Sequence, residues 1–220
     1  MKPSPIKPPN ELSSSELYRL TERIKRCRIC CETPLQKTPL PHDASPVLYV
    51  SETAKIALAG QAPGKRVHDT AIPFNDSSGD RLRAWLDLPK EIFYDTTKIA
   101  IIPMGFCFPG YSSSGADLPP RRECKTYWHN ALFKQLKNIK LLLAIGSYAQ
   151  NYHIIFGKKE NLTENIKHWE EIFSFIQPRG YRVLPLPHPS WRNNRWLKKH
   201  PWFEEKALPH IKSILKDYLQ

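Results

Sequence analysis

His188 stands between Pro187 and Pro189 and is followed by Ser190, Trp191, Arg192 and Asn193. An imidazole fixed this way can serve a reaction, or it can simply sit in a rigid surface turn. A second constellation is Gly60-Gln61-Ala62-Pro63-Gly64, with Phe74 ten residues beyond Gly64. Glycines allow a backbone to approach a ligand closely, and they also make ordinary turns; Phe74 taken alone reads as core. The third set is cysteine, at positions 27, 30, 31, 107 and 124. Four thiolates at tetrahedral corners can hold a zinc ion or a [4Fe–4S] cluster, and buried free thiols are the remaining alternative. Cys31 is the spare, either a substitute ligand through Cys27-x3-Cys31 or a small apolar residue.

These groups need elements to position them. Four short apolar runs, Lys55–Ala59, Lys98–Ile102, Leu141–Ile145 and Arg182–Leu186, have strand length and little alternation, as strands buried on both faces do. Helical stretches fall between them at Asp80–Leu86, Glu123–Leu136, Ser147–Phe156 and Glu164–Phe175. Another spans Trp202–Leu219, with Pro209 either kinking it or opening a second piece. Ser13 and Glu16 fit a capping box for a helix that delivers Cys27 and Cys30 at its end. Strands alternating with helices predict an α/β chain, a three-layer α/β/α sandwich around a four-stranded parallel sheet. In such sheets the ligand site lies beyond the carboxyl ends of the strands. Gly60–Gly64, Met104–Cys107, Gly146-Ser147 and His188–Asn193 each follow one of these runs.

Composition sets the boundaries. The chain has 220 residues and a net charge of +12, which suggests a polyanionic partner. A hydrophobic fraction of 40% supplies a packed core and excludes disorder throughout. No apolar run approaches the roughly 20 residues that span a bilayer. Residues 1–12 read as a disordered basic, proline-rich tail without an apolar signal region, and residues 13–220 as a single domain. The expectation is a cytoplasmic monomer with reduced or metal-bound thiols.

In this order and at these strand ends, the motifs resemble the uracil-DNA glycosylase superfamily, most closely its iron–sulfur, family-four type. That family opens its site with Gly-Glu-Ala-Pro-Gly, places Pro-Phe at the spacing found here for Phe74, and closes with His-Pro, matched by His188-Pro189-Ser190. Its cysteine spacing is similar to Cys27-x2-Cys30-x76-Cys107-x16-Cys124. The resemblance implies a DNA repair enzyme that hydrolyses the N-glycosidic bond of uracil or another deaminated base flipped out of DNA. It also favours the [4Fe–4S] cluster over zinc, in a structural role. His188 would stabilise the departing base, and Phe74 would stack on it. Gly60, Ala62, Pro63 and Gly64, with Gly146 and Ser147, would line the base pocket. Ser190, Trp191, Arg192, Asn193 and Arg195 would meet the DNA.

Two departures from the family pattern concern the reaction. Gln61 and Ala62 stand where relatives carry an acidic residue, so the motif holds no general base. Gln61 can orient water, and His68 or Asp69 are candidates for the missing function or a solvated loop pair. Pro103 replaces the family's base-reading Asn, four residues before Cys107. A weak or inactive cluster-bearing DNA-binding protein of the same fold is therefore the competing expectation. Basic residues near the motif loops, Lys65, Arg66, Arg121, Arg122 and the run after His188, are expected to contact phosphates.

Overall fold

The computed structural model describes residues 15–35 and 37–220. The expected tail and Ser13 lie outside them. The first helix, Glu16–Lys25, is capped by Ser15, whose hydroxyl accepts from the Tyr18 N–H at 3.2 Å. It buries Leu17 and Ile24 and runs into Cys27.

Strands β1 (Ile56–Ala59), β2 (Ile99–Ile101), β3 (Leu141–Ile145) and β4 (Arg182–Leu186) form one parallel sheet in the order β2-β1-β3-β4. Successive side chains point to opposite faces. Ala57, Ala59, Ala100, Leu142 and Val183 pack on one face beneath Leu17, Ile24 and Leu132. Ile56, Leu58, Leu143 and Leu184 pack on the other, against Leu82, Trp85, Phe203 and Ile211. Because both faces are covered, the strands carry no polar stripe, and the layers are those of an α/β/α sandwich.

The chain turns one way from β1 to β2 and the other way to β3. This leaves a crevice between the carboxyl ends of β1 and β3, where open α/β sheets bind ligands. Gly60 continues β1 and Gly146 continues β3, so both motifs are delivered to its edge.

Several elements differ from expectation. Lys65–Thr70, read as a loop, is a helix with an ion pair between Lys65 and Asp69, one turn apart. The stretch after Arg121 divides into Arg122–Cys124, a π-helical turn Lys125–His129 and Asn130–Gln135. Glu164–Phe175 is two helices, Leu162–Lys167 and Trp169–Ser174, meeting at His168. Trp202–Leu219 holds a π-helical turn, Phe203–Ala207, that runs directly into the helix Leu208–Leu219, with Pro209 in the first turn of the latter. The π-helical turn places His129 flat against Phe106, with ring centroids 5.1 Å apart. Burial lowers its pKa to about 4, so it stays neutral while it braces the chain leaving β2.

Candidate active site

A cavity of about 500 Å³ opens at the crevice. Gly60, Gln61, Ala62, Pro63 and Gly64 line one side, Phe74 and Asp76 another, and Gly146, Ser147 and His188 the floor of β3 and β4. Ser190, Trp191, Arg192 and Asn193 form its rim, and Pro103 and Asp117 complete it from the segments after β2.

Phe74 is held by strain and close packing. Its φ is +53°, a left-handed conformation uncommon for an aromatic residue. Its carbonyl accepts from Arg83 Nη1 at 3.2 Å and from the Tyr94 hydroxyl at 3.3 Å. Gly79 lies directly beneath, and a Cβ there would fall 1.8 Å from that carbonyl oxygen. At Gly60 a Cβ would meet the Phe74 ring at 3.3 Å, so a bare backbone gives the ring its room.

His188 is half-buried, and its Nδ1 accepts the Ser190 N–H at 3.2 Å. A neutral ring with Nδ1 accepting carries its proton on Nε2. Burial lowers the His188 pKa, while Asp76 and Asp117 oppose that shift, so the neutral form prevails near pH 7. Asn193 donates to the His188 carbonyl at 2.7 Å and fixes the turn.

Gln61 donates its amide to the Leu118 carbonyl at 3.3 Å, which leaves Oε1 as an acceptor. Asp76 caps the helix Ser77–Leu86, with Oδ1 accepting from the Gly79 N–H at 2.8 Å. Its second oxygen has no protein partner among the described residues. Asp76 and Asp117 were missed in sequence. Asp76 sits only two residues past Phe74, and its sequence signal is that of a helix cap.

His68 and Asp69 do not line the cavity. Val67 of the same helix does, and helical geometry turns the next two residues away from it. His68 packs on His42 at 4.4 Å and faces Phe108, and Asp69 is exposed beside Lys65. Arg195 is exposed on the helix Asn194–Lys199, outside the lining. Arg121 is buried, paired with Glu123 at 3.1 Å, and so is withdrawn from solvent. Trp191 is 68% exposed at the mouth, with the Arg192 guanidinium 5.6 Å from its ring.

Cys30, Cys107 and Cys124 are buried, and Cys27 lies in electrostatic reach of all three. Burial pushes the Cys30 thiol up to about 11 and Cys107 up to about 12. The Trp128 indole donates to Cys27 Sγ and the Phe106 N–H to Cys124 Sγ, each at 3.3 Å. Arg121 faces Cys30, and the backbone of Ser45 faces Cys107. Among the described residues no three His, Cys, Asp or Glu side chains close on one point as ligands of a single ion do.

The family model described as the Uracil DNA glycosylase superfamily matches residues 47–212, three-quarters of the chain. The chain belongs to that superfamily. The match spans the whole sheet, both glycine-bearing turns and the His188 loop. Membership supports a DNA glycosylase in general and leaves the base to the residues of the cavity. Among the described residues, no helix is long and apolar enough to cross a membrane.

Proposed function

We propose that this superfamily member is a DNA glycosylase that hydrolyses the N-glycosidic bond of a damaged base flipped into the cavity. Uracil and other deaminated bases are the reference substrates. The observation that carries this reading is the His188 tautomer. With Nδ1 occupied by Ser190, the Nε2–H is free to donate to the oxygen where negative charge gathers as the base departs. Phe74 offers a ring face for stacking, clamped from behind by Arg83 and Tyr94. Trp191 at the mouth, with Arg192 beside it, is suited to fill the gap in the base stack.

Asp76 takes the part that Gln61 and Ala62 cannot. One oxygen is fixed by Gly79, and the other is available to orient a water against the sugar carbon. Asp76→Asn retains the cap and removes the charge. It should slow excision about 10²–10⁴-fold with little change in Tm. The assay is alkaline cleavage of abasic sites in oligonucleotides containing uracil, hypoxanthine, xanthine or 5-hydroxycytosine. Absence of abasic sites for every base, with DNA binding retained, would instead favour the non-catalytic DNA-binding reading. Full activity in the Asp76→Asn protein would remove Asp76 from the mechanism.

Cys27, Cys30, Cys107 and Cys124 would hold a [4Fe–4S] cluster. Cys30 and Cys107 pack together with Cys31 against them, and Cys27 and Cys124 lie within electrostatic reach. The four sulfurs of Cys27, Cys30, Cys107 and Cys124 each face a hydrogen-bond donor from the surrounding chain. Zinc, with bonds of about 2.3 Å to each sulfur, needs ligands that close on a single point. The cluster would supply cross-linking between the first helix and the segments around Cys107 and Cys124. Protein purified without oxygen should be brown and contain about four iron atoms per chain. Stoichiometric zinc in a colourless protein would overturn this assignment.

A further inference from the structure

Of the thiols assigned to the cluster, Cys30, Cys107 and Cys124 are buried, and Cys27 is the one with partial access to solvent. It follows the first helix, where its N–H bonds the Ile24 carbonyl at 3.0 Å. The hydrogen-bond partner of its sulfur comes from far along the chain. The Trp128 indole Nε1–H donates to Cys27 Sγ at 3.3 Å. Trp128 is half-buried and packs against the core face that holds Leu17 and Ile24. On the first helix the Arg23 guanidinium, itself exposed, lies 5.6 Å from the centroid of that ring.

The turn that delivers the indole is the π-helical one, Lys125–His129, which begins directly after Cys124. Such turns occur frequently at functional sites. Here neighbouring rings go to different places: Trp128 to the thiol of Cys27, and His129 to Phe106. The other donors differ in kind. Cys124 receives the backbone N–H of Phe106, and Cys107 faces the backbone of Ser45. Arg121 faces Cys30 as a cation already paired with Glu123. Trp128 is the neutral side chain of the set, so its N–H can be removed without changing a charge or the backbone.

Adding an electron to an iron–sulfur cluster increases the negative charge on its cysteine sulfurs. An N–H aimed at such a sulfur therefore stabilises the reduced state more than the oxidised one and raises the reduction potential. We propose that, on the cluster assignment made above, Trp128 is a positioning residue that acts through Cys27, its Nε1–H holding the reduction potential of the metal site above the value the remaining donors would give. The indole then tunes a one-electron centre, which goes beyond cross-linking the chain.

The test is an anaerobic potentiometric titration of iron-loaded protein, wild-type and Trp128→Phe, read by visible absorption and electron paramagnetic resonance. A reduced viologen gives up one electron for each cluster reduced. Trp128→Phe keeps an aromatic ring beside Arg23 and removes the N–H, with Tm and iron content as checks on fold and loading. It should be harder to reduce by about three- to tenfold in the equilibrium constant, roughly 30–60 mV for one electron. Benzothienylalanine in place of Trp128 has the shape of the indole with sulfur where the N–H stood. It should show the same shift, and it decides the matter where phenylalanine disturbs the packing. An unchanged or raised potential in the iron-loaded isostere would overturn the tuning and leave the cluster standing. Loss of iron from both variants would make the ring a structural part and overturn the tuning as well. Wild-type protein purified without iron would overturn the cluster assignment and the tuning together.

Discussion

Replacing His188 with alanine is expected to slow base release about 10²–10³-fold while Tm changes little. The expected loss is that of one directed donor to developing charge. The rest of the turn should persist, because Asn193 bonds the backbone carbonyl of His188 and Arg81 bonds the Ser190 carbonyl. Single-turnover rates separate this from a binding defect, since in the proposed mechanism the imidazole meets the leaving group and not a phosphate. Wild-type rates in His188→Ala would show that the imidazole only shapes the turn. Among the described residues, His188 is the imidazole that lines the cavity.

The second large effect should come from a residue that touches no substrate. In Gly79→Ala the new methyl would stand 1.8 Å from the Phe74 carbonyl oxygen and 2.6 Å from its carbon. Both are backbone atoms, so no side-chain rotation relieves the clash. The helix start must shift, and Phe74, Asp76 and the Gly79 N–H that fixes Asp76 shift with it. A cost of about 3 kcal/mol is expected. For a chain of this length that is a fall in Tm of about 6–12 °C. Excision should fall further than stability explains, because the ring proposed to stack and the carboxylate proposed to orient water move together. A variant with native Tm and native activity would mean that this turn has room the structure denies it.

The parts legible in sequence are those with a local cause. The four strands are short, almost uninterrupted apolar runs, since each is buried on both faces, and their alternation with helices specifies the layers. Gly60–Gly64, Phe74 and the His188 loop were legible because their residue types are unusual and each follows a strand. The helix Lys65–Thr70 was not, because a six-residue amphipathic turn after a proline-glycine break reads like loop. His68 and Asp69 follow Val67 on that helix and lie outside the cavity lining. A phase of 100° per residue gives the cavity to Val67 instead. Arg121 looked like one more exposed cation, and only packing shows that Glu123 holds it beside Cys30.

By itself, then, the sequence determined the architecture and which loops gather at its rim, because hydrophobic pattern and turn chemistry act within a few residues. It also marked His188 as the group to watch. The tertiary structure decided which nitrogen of that ring bears the proton, since the Ser190 N–H has to be placed against it. It decided that the cavity carboxylates come from Asp76 and Asp117, whose sequence contexts are a helix cap and an exposed loop. Those assignments depend on distances between segments far apart in the chain, and no local pattern encodes them.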